Sequence, residues 1–150
     1  MKSVLLPWLA ALVCLFSTTA CQTSGIRDAL AAVEGEFVQR PEGVFYSNNA
    51  ALVDAVKSAA GTPTARTLSA LADCMRCERE TKSVFRGSPV PLSWVCYQAM
   101  ENFAYYEKTD GTGDIVPWPG YVDLPASREA LGEAGKAWKE VISTRTWLWH

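Results

Sequence analysis

Apolar residues recur at helical spacing in five stretches of this chain, with few runs that alternate as a half-buried strand would. Ile26, Leu30, Val33 and Phe37 follow one another at spacings of four, three and four, which predicts a first helix over 26–38 that Arg40-Pro41-Glu42-Gly43 ends. Val44-Phe45-Tyr46 reads as a short extended piece. Asn48 or Asn49 supplies a side-chain oxygen to cap a second helix, whose Leu52, Val53 and Val56 precede a stop at Gly61. A third helix is expected from Thr62 as N-cap and Pro63 at the first helical position to about Phe85. It carries one apolar stripe of Leu68, Leu71, Ala72 and Met75 and a second of Ala70, Cys74, Cys77, Thr81 and Val84, which makes it the expected central helix.

Ser88-Pro89-Val90-Pro91 reads as an extended connector, and a fourth helix over about 92–108 places Leu92, Val95, Cys96, Ala99, Phe103 and Tyr106 on one side. Asp110-Gly111-Thr112-Gly113-Asp114 is a turn, followed by an aromatic loop, 115–122, stiffened by Pro117 and Pro119. A last helix over about 126–142 turns Ala130, Leu131, Ala134, Ala137, Trp138, Val141 and Ile142 inward, while Gly132 and Gly135 weaken it. The apolar tail Trp147-Leu148-Trp149-His150 is expected to dock on the core or on a partner. The pattern therefore predicts a mainly α fold: a small single-domain bundle of about five helices with an aromatic, proline-containing loop.

The N-terminus has a different character. Met1 and Lys2 put positive charge ahead of an apolar run of 13 residues, Val4 to Phe16, that holds no charge and contains Pro7. A bilayer core needs roughly 20 residues in a helix, so the run is short for a span and fits a signal peptide. Ser17-Thr18-Thr19-Ala20-Cys21 resembles the lipobox of bacterial lipoproteins, with Thr18 standing where that pattern favours an aliphatic residue. The resemblance covers residues 1–21 alone. It implies cleavage before Cys21, which would carry a thioether-linked diacylglycerol and an N-acyl chain such as palmitate, enough acyl chains for stable anchoring. Gln22 stands where an Asp would retain an enteric bacterial lipoprotein in the inner membrane, so the resemblance implies the outer membrane, facing the periplasm. The chain then divides into a signal peptide (1–20), a lipid-anchored tether (21–25) and a helical domain (26–150). Ordinary secretion with cleavage after Ala20 is the alternative.

Without Lys2, 13 Lys and Arg face 16 Asp and Glu, with no basic run, and nucleic-acid binding is not expected. Four cysteines remain after Cys14 leaves with the signal: Cys21, Cys74, Cys77 and Cys96. Lipidation of Cys21 leaves three, whereas plain secretion leaves an even four. Folding the third and fourth helices back about 88–91 puts Cys96 nearest Cys77, so a Cys77–Cys96 disulfide is expected, with Cys74 a buried thiol. The Cys74-Met75-Arg76-Cys77 spacing also serves haem, zinc and redox chemistry. Glu78 stands where haem attachment needs His, zinc lacks an evident fourth ligand, and three turns of expected helix before Cys74 remove the N-terminal dipole that activates a redox thiol.

The single histidine, His150, is the last residue, and no nucleophile elbow, phosphate loop, dinucleotide fingerprint or zincin motif occurs. No catalytic residue, metal or cofactor is assigned on these grounds. Asp110 and Asp114 lack EF-hand spacing, and Trp118 with Tyr121 forms either a sugar-stacking platform or a cap on the core. The remaining candidate is a face of the fourth helix. Trp94, Tyr97, Glu101, Tyr105 and Lys108 cluster opposite the apolar stripe, mixing aromatics with charge as a partner-contacting surface does. The expectation is a tethered envelope protein that serves as a protein-binding or structural accessory module. An inhibitor or immunity-type protein blocking a toxin or lytic enzyme is one alternative, and a cell-wall-acting enzyme using an acidic residue such as Glu101 is another.

Overall fold

The computed structural model describes residues 23–107 and 117–149. The expected signal peptide, Cys21, Gln22, Lys108, the 110–114 turn, the loop's Ile115 and Val116, and His150 lie outside the described residues.

The fold is mixed α and β, not the expected helical bundle. Helix α1 spans residues 23–32 and is followed by strands β1 (Phe37–Arg40) and β2 (Gly43–Tyr46), an antiparallel hairpin in register Phe37 to Tyr46. Helices α2 (Asn49–Ala60) and α3 (Ala65–Cys74) come next, then a second hairpin of β3 (Glu80–Phe85) and β4 (Ser88–Pro91). Helix α4 (Leu92–Glu101) leads to β5 (Ala104–Tyr105), and α5 (Arg128–Thr144) to β6 (Leu148–Trp149), which pairs antiparallel with β5.

The first helix stops short of the expected Phe37 because that residue is taken by β1. Its ring packs edge-on against Tyr46 of β2 at 5.1 Å, and both are buried. The third helix begins at Ala65, capped by Thr64, whose hydroxyl accepts from Thr67 N, and it ends at Cys74 instead of near Phe85. Beyond a short turn the chain becomes a strand. Along Glu80–Phe85 exposure alternates, with Thr81, Ser83 and Phe85 facing inward and Glu80, Lys82 and Val84 outward, a period of two that no helix shares. The reversal at Arg86-Gly87 has positive φ at both residues, 52° and 81°, as a two-residue hairpin turn requires. Pro89 and Pro91 sit on β4, an outer strand where a missing amide is tolerated. A Glu36–Val84 bridge joins the two hairpins in parallel.

The core lies among α3, α4 and α5, covered on one side by α2 and on another by the hairpins. Helix α4, not α3, is central: eight of its ten residues are buried, which leaves it almost no solvent face. The last helix matches the expected stripe, burying Leu131, Ala134, Trp138, Val141 and Ile142, and Ser127 caps it. Gly135 belongs to that buried side for a steric reason. A Cβ there would lie 2.5 Å from the carbonyl oxygen of Ala72, so glycine lets α5 close on α3.

The disulfide joins Cys74 to Cys96, with Cα atoms 5.8 Å apart, and corrects the expected Cys77–Cys96 pairing. That pairing assumed one continuous helix through Cys77. Because α3 ends at Cys74, the last helical position faces α4 and both bridged residues are fully buried, while Cys77 falls in the following turn as a half-buried thiol.

Candidate functional site

The face proposed for partner contact divides into three places. Trp94 sits half-buried between Phe37 of β1 at 6.0 Å and Phe85 of β3 at 5.7 Å, so it packs the hairpins onto α4. Tyr105 leaves the helical stripe, because α4 ends at Glu101 and Tyr105 belongs to β5. Tyr97 is 1% exposed and presents no surface to a partner. Of the four, Tyr97 and Glu101 line an open cleft, and of those two only Glu101 is partly exposed.

That cleft lies where α4, the β1–β2 turn and segment 122–124 meet. Gln98, which the sequence pattern did not single out, ties α4 to the β1–β2 hairpin, and Tyr97 ties it to segment 122–124. The Gln98 side-chain oxygen accepts from Tyr46 N at 3.1 Å, and its amide nitrogen donates to the Glu101 carboxylate at 2.5 Å. The Tyr97 hydroxyl accepts from Val122 N at 3.0 Å and donates to the same carboxylate. A one-turn spacing brings Gln98 and Glu101 to one side of the helix, where each buried polar group finds a partner.

Burial chiefly pushes the Glu101 carboxyl above the usual carboxylate range. The hydrogen bonds from Tyr97 and Gln98 pull it back, and the charge of Asp123 raises it further. The Tyr97 phenol is pushed well up, by burial first and then by the Glu101 charge beside it. Below this pair opens a cavity of about 60 Å³ lined by Glu42, Val44, Gln98, Glu101, Asp123 and Leu124, among others. Glu42 and Asp123 are exposed at its rim. Small-molecule sites typically occupy about 300–1,000 Å³, so this cavity matches one side-chain tip.

The second aromatic feature is a cluster. Trp118 contacts Tyr106 at 4.6 Å, Trp138 at 4.9 Å and Tyr121 at 5.0 Å. Trp138 is fully buried and donates its indole N–H to Gly120 O at 3.0 Å. The Tyr121 hydroxyl accepts from Tyr106 N at 2.6 Å and donates to Tyr106 O, which fixes the 104–107 segment against the loop. Trp118 and Tyr121 both pack on the buried Trp138 and cover the core there, while Trp118 stays half-buried. Tyr106, expected on the core stripe of a helix, instead stands beside them.

Of the C-x-x-C cysteines, Cys74 is bridged to Cys96 at the C-terminal end of its helix, the end opposite to the one that activates a thiol, and Cys77 is a half-buried thiol. Among the described residues no group of three or more His, Cys, Asp or Glu side chains could hold a metal ion, and no helix is long and apolar enough to cross a membrane. Comparison with known proteins finds no matching family model, no similar curated protein and no similar solved structure.

Proposed function

We propose that the chain is a lipoprotein of a bacterial cell envelope, tethered through Cys21 and directed to the outer membrane by Gln22, whose domain works by binding an envelope protein at the Glu101 cleft. The tether rests on the Met1–Cys21 pattern. The observation that supports the binding mode is the cleft itself, a cavity of about 60 Å³ with three carboxylates, Glu42, Glu101 and Asp123, along its lining. Its volume suits the tip of one side chain and its charge suits lysine or arginine, which makes a basic residue of a partner protein its fitting occupant.

A second reading has one specific observation behind it: Glu101 is a half-buried acid whose burial raises its pKa, beside a second carboxylate, as in enzymes that donate a proton to a glycosidic oxygen. The narrowness of the cleft weighs against it, since a sugar ring would have to enter.

The test combines membrane fractionation with cross-linking in intact cells. Cys21→Ser is expected to shift the protein from the membrane to the soluble fraction, and a wild-type protein without acyl mass would refute the tether. Glu42→Lys with Asp123→Lys, both exposed and outside the core, is expected to reduce partner cross-linking at least tenfold. Undiminished cross-linking in the double variant removes the cleft from the interface. Release of cell-wall fragments by wild type, abolished by Glu101→Gln, would establish the enzyme reading instead.

A further inference from the structure

A groove of about 430 Å³ runs between the aromatic cluster and the last turns of α5, lined by Tyr106, Trp118, Ala137, Glu140, Val141 and Thr144, with Pro119 and Thr146 at its edges. Its volume falls in the range of small-ligand sites, whereas those of the Glu101 cleft and of a further cavity of about 110 Å³ between α1 and α3 do not. Helical spacing organises its far wall. Ala137, Glu140, Val141 and Thr144 succeed one another at three, one and three residues, so a narrow apolar strip is flanked by a carboxylate and a hydroxyl.

We infer that this groove binds a neutral saccharide, stacked on the half-buried rings of Tyr106 and Trp118 and hydrogen-bonded along α5. Two observations select that chemistry. The first is the aromatic wall: its rings are braced from behind by Trp138 and Tyr121 and, through the Tyr121 hydroxyl, by the main chain of Tyr106, so they stand in place before a ligand arrives. An aromatic face carries negative π density, which the weakly positive C–H face of a pyranose complements. The second is the donor and acceptor balance of the opposite wall. The Thr144 hydroxyl donates to the carbonyls of Glu140 and Val141 at 3.1 Å, and the Thr146 hydroxyl lies 2.9 Å from Thr144 Oγ1 and 3.5 Å from Val141 O. The hydroxyl protons are thus committed within the protein.

The helix wall then offers acceptors: the lone pairs of two threonines and the exposed Glu140 carboxylate. A ligand must bring hydrogen-bond donors. Anions are disfavoured by Glu140, and purely apolar ligands leave the polar half of the groove unused. A polyol with one apolar face satisfies both walls. The groove shares no lining residue with the Glu101 cleft.

The test is calorimetric titration of the full chain with chitotetraose, cellotetraose and maltotetraose, with tryptophan emission followed in parallel. Tetramethylammonium is the probe for an aromatic cation cage. Saturable binding of at least one tetrasaccharide, with a blue shift or quench of emission, is expected. Ala137→Trp, which fills the groove from the helix side, and Glu140→Ala, at an exposed position, are each expected to weaken it at least tenfold. Both leave the aromatic cluster intact, and circular dichroism checks their folding. Absence of saturable binding to all three sugars overturns the inference. So does binding that neither substitution weakens, or saturable binding of tetramethylammonium alone.

Discussion

The two ends of α4 are held in different ways. Near its start, Trp94 is gripped by the rings of Phe37 and Phe85, and Cys96, two residues on, is bonded to Cys74. None of those contacts titrates. Near its end, Gln98 holds the β1–β2 hairpin and Tyr97 holds segment 122–124, and both side chains donate to one half-buried carboxylate, Glu101. Apolar and covalent contacts at the first end are indifferent to pH, while the second end couples packing to the protonation of Glu101. The open cleft is at that second end, so the molecule places its adjustable polar contacts beside its candidate binding site and its rigid ones away from it.

The largest expected effect tests the rigid end. Cys96→Ala removes a cross-link spanning a sequence separation of 22 and is expected to cost about 3.5 kcal/mol in the chain-entropy model, read as a lower midpoint in urea. Non-reducing peptide mapping of wild type should find Cys74 joined to Cys96, with Cys77 alkylated; a Cys77–Cys96 peptide would contradict an α3 that ends at Cys74.

Trp94→Ala should cost about 3 kcal/mol, the low end for an aromatic truncated to alanine because the ring is half-buried, and by the same amount at pH 4 and pH 8. A pH-dependent loss would dissolve the contrast between the two ends.

At the polar end, Gln98→Leu keeps the volume and deletes both hydrogen bonds, leaving Tyr46 N–H without its acceptor. The expected cost is about 2 kcal/mol, measured by chemical denaturation. If the variant loses no stability, the bridge between hairpin and helix contributes nothing net.

The smallest effect is the most diagnostic. The folded pKa of Glu101 is raised above its unfolded value, so the native state binds more protons than the unfolded state between the two. Stability contributed by Glu101 is therefore fully present below the unfolded pKa, falls as pH rises through the folded pKa, and stays lower above it. Glu101→Gln keeps a hydrogen-bonding side chain without the charge. It is expected to raise the melting temperature at pH 7 and to lose that advantage at pH 4; equal melting behaviour at both pH values would show that burial does not tax the carboxylate.

How far the sequence could be read depends on how each element is stabilised. The last helix was legible because one face is apolar and the other charged, so its residues 131, 134, 138, 141 and 142 are buried as their spacing demands, whereas its cap at Ser127 was not singled out. The second helix announced itself through Asn48-Asn49, of which Asn48 is the cap, its side chain accepting from Ala51 N. The segment after Cys74 was misread. Cys77, Thr81 and Val84 continue a helical period by coincidence, whereas the alternation of Glu80, Lys82 and Val84 against Thr81, Ser83 and Phe85, closed by Arg86-Gly87, was the competing signal. The candidate face on α4 rested on a helix extending to residue 108, and its early end at Glu101 removed Tyr105 from the stripe.

Local sequence alone thus determined the amphipathic helix α5, a capped start of α2 at Asn48 or Asn49, the extended run at Val44–Tyr46 and the candidacy of Glu101. Those features depend on spacing within a turn or two, which the chain carries in itself. Only the tertiary structure decided that α4 is the enclosed helix, that Cys74 takes Cys96, that Gln98 bridges the hairpin to Glu101, and that Tyr106 stands in an open groove. Each of these depends on residues distant in sequence meeting across the core, and periodicity along one segment cannot say which neighbour will cover it.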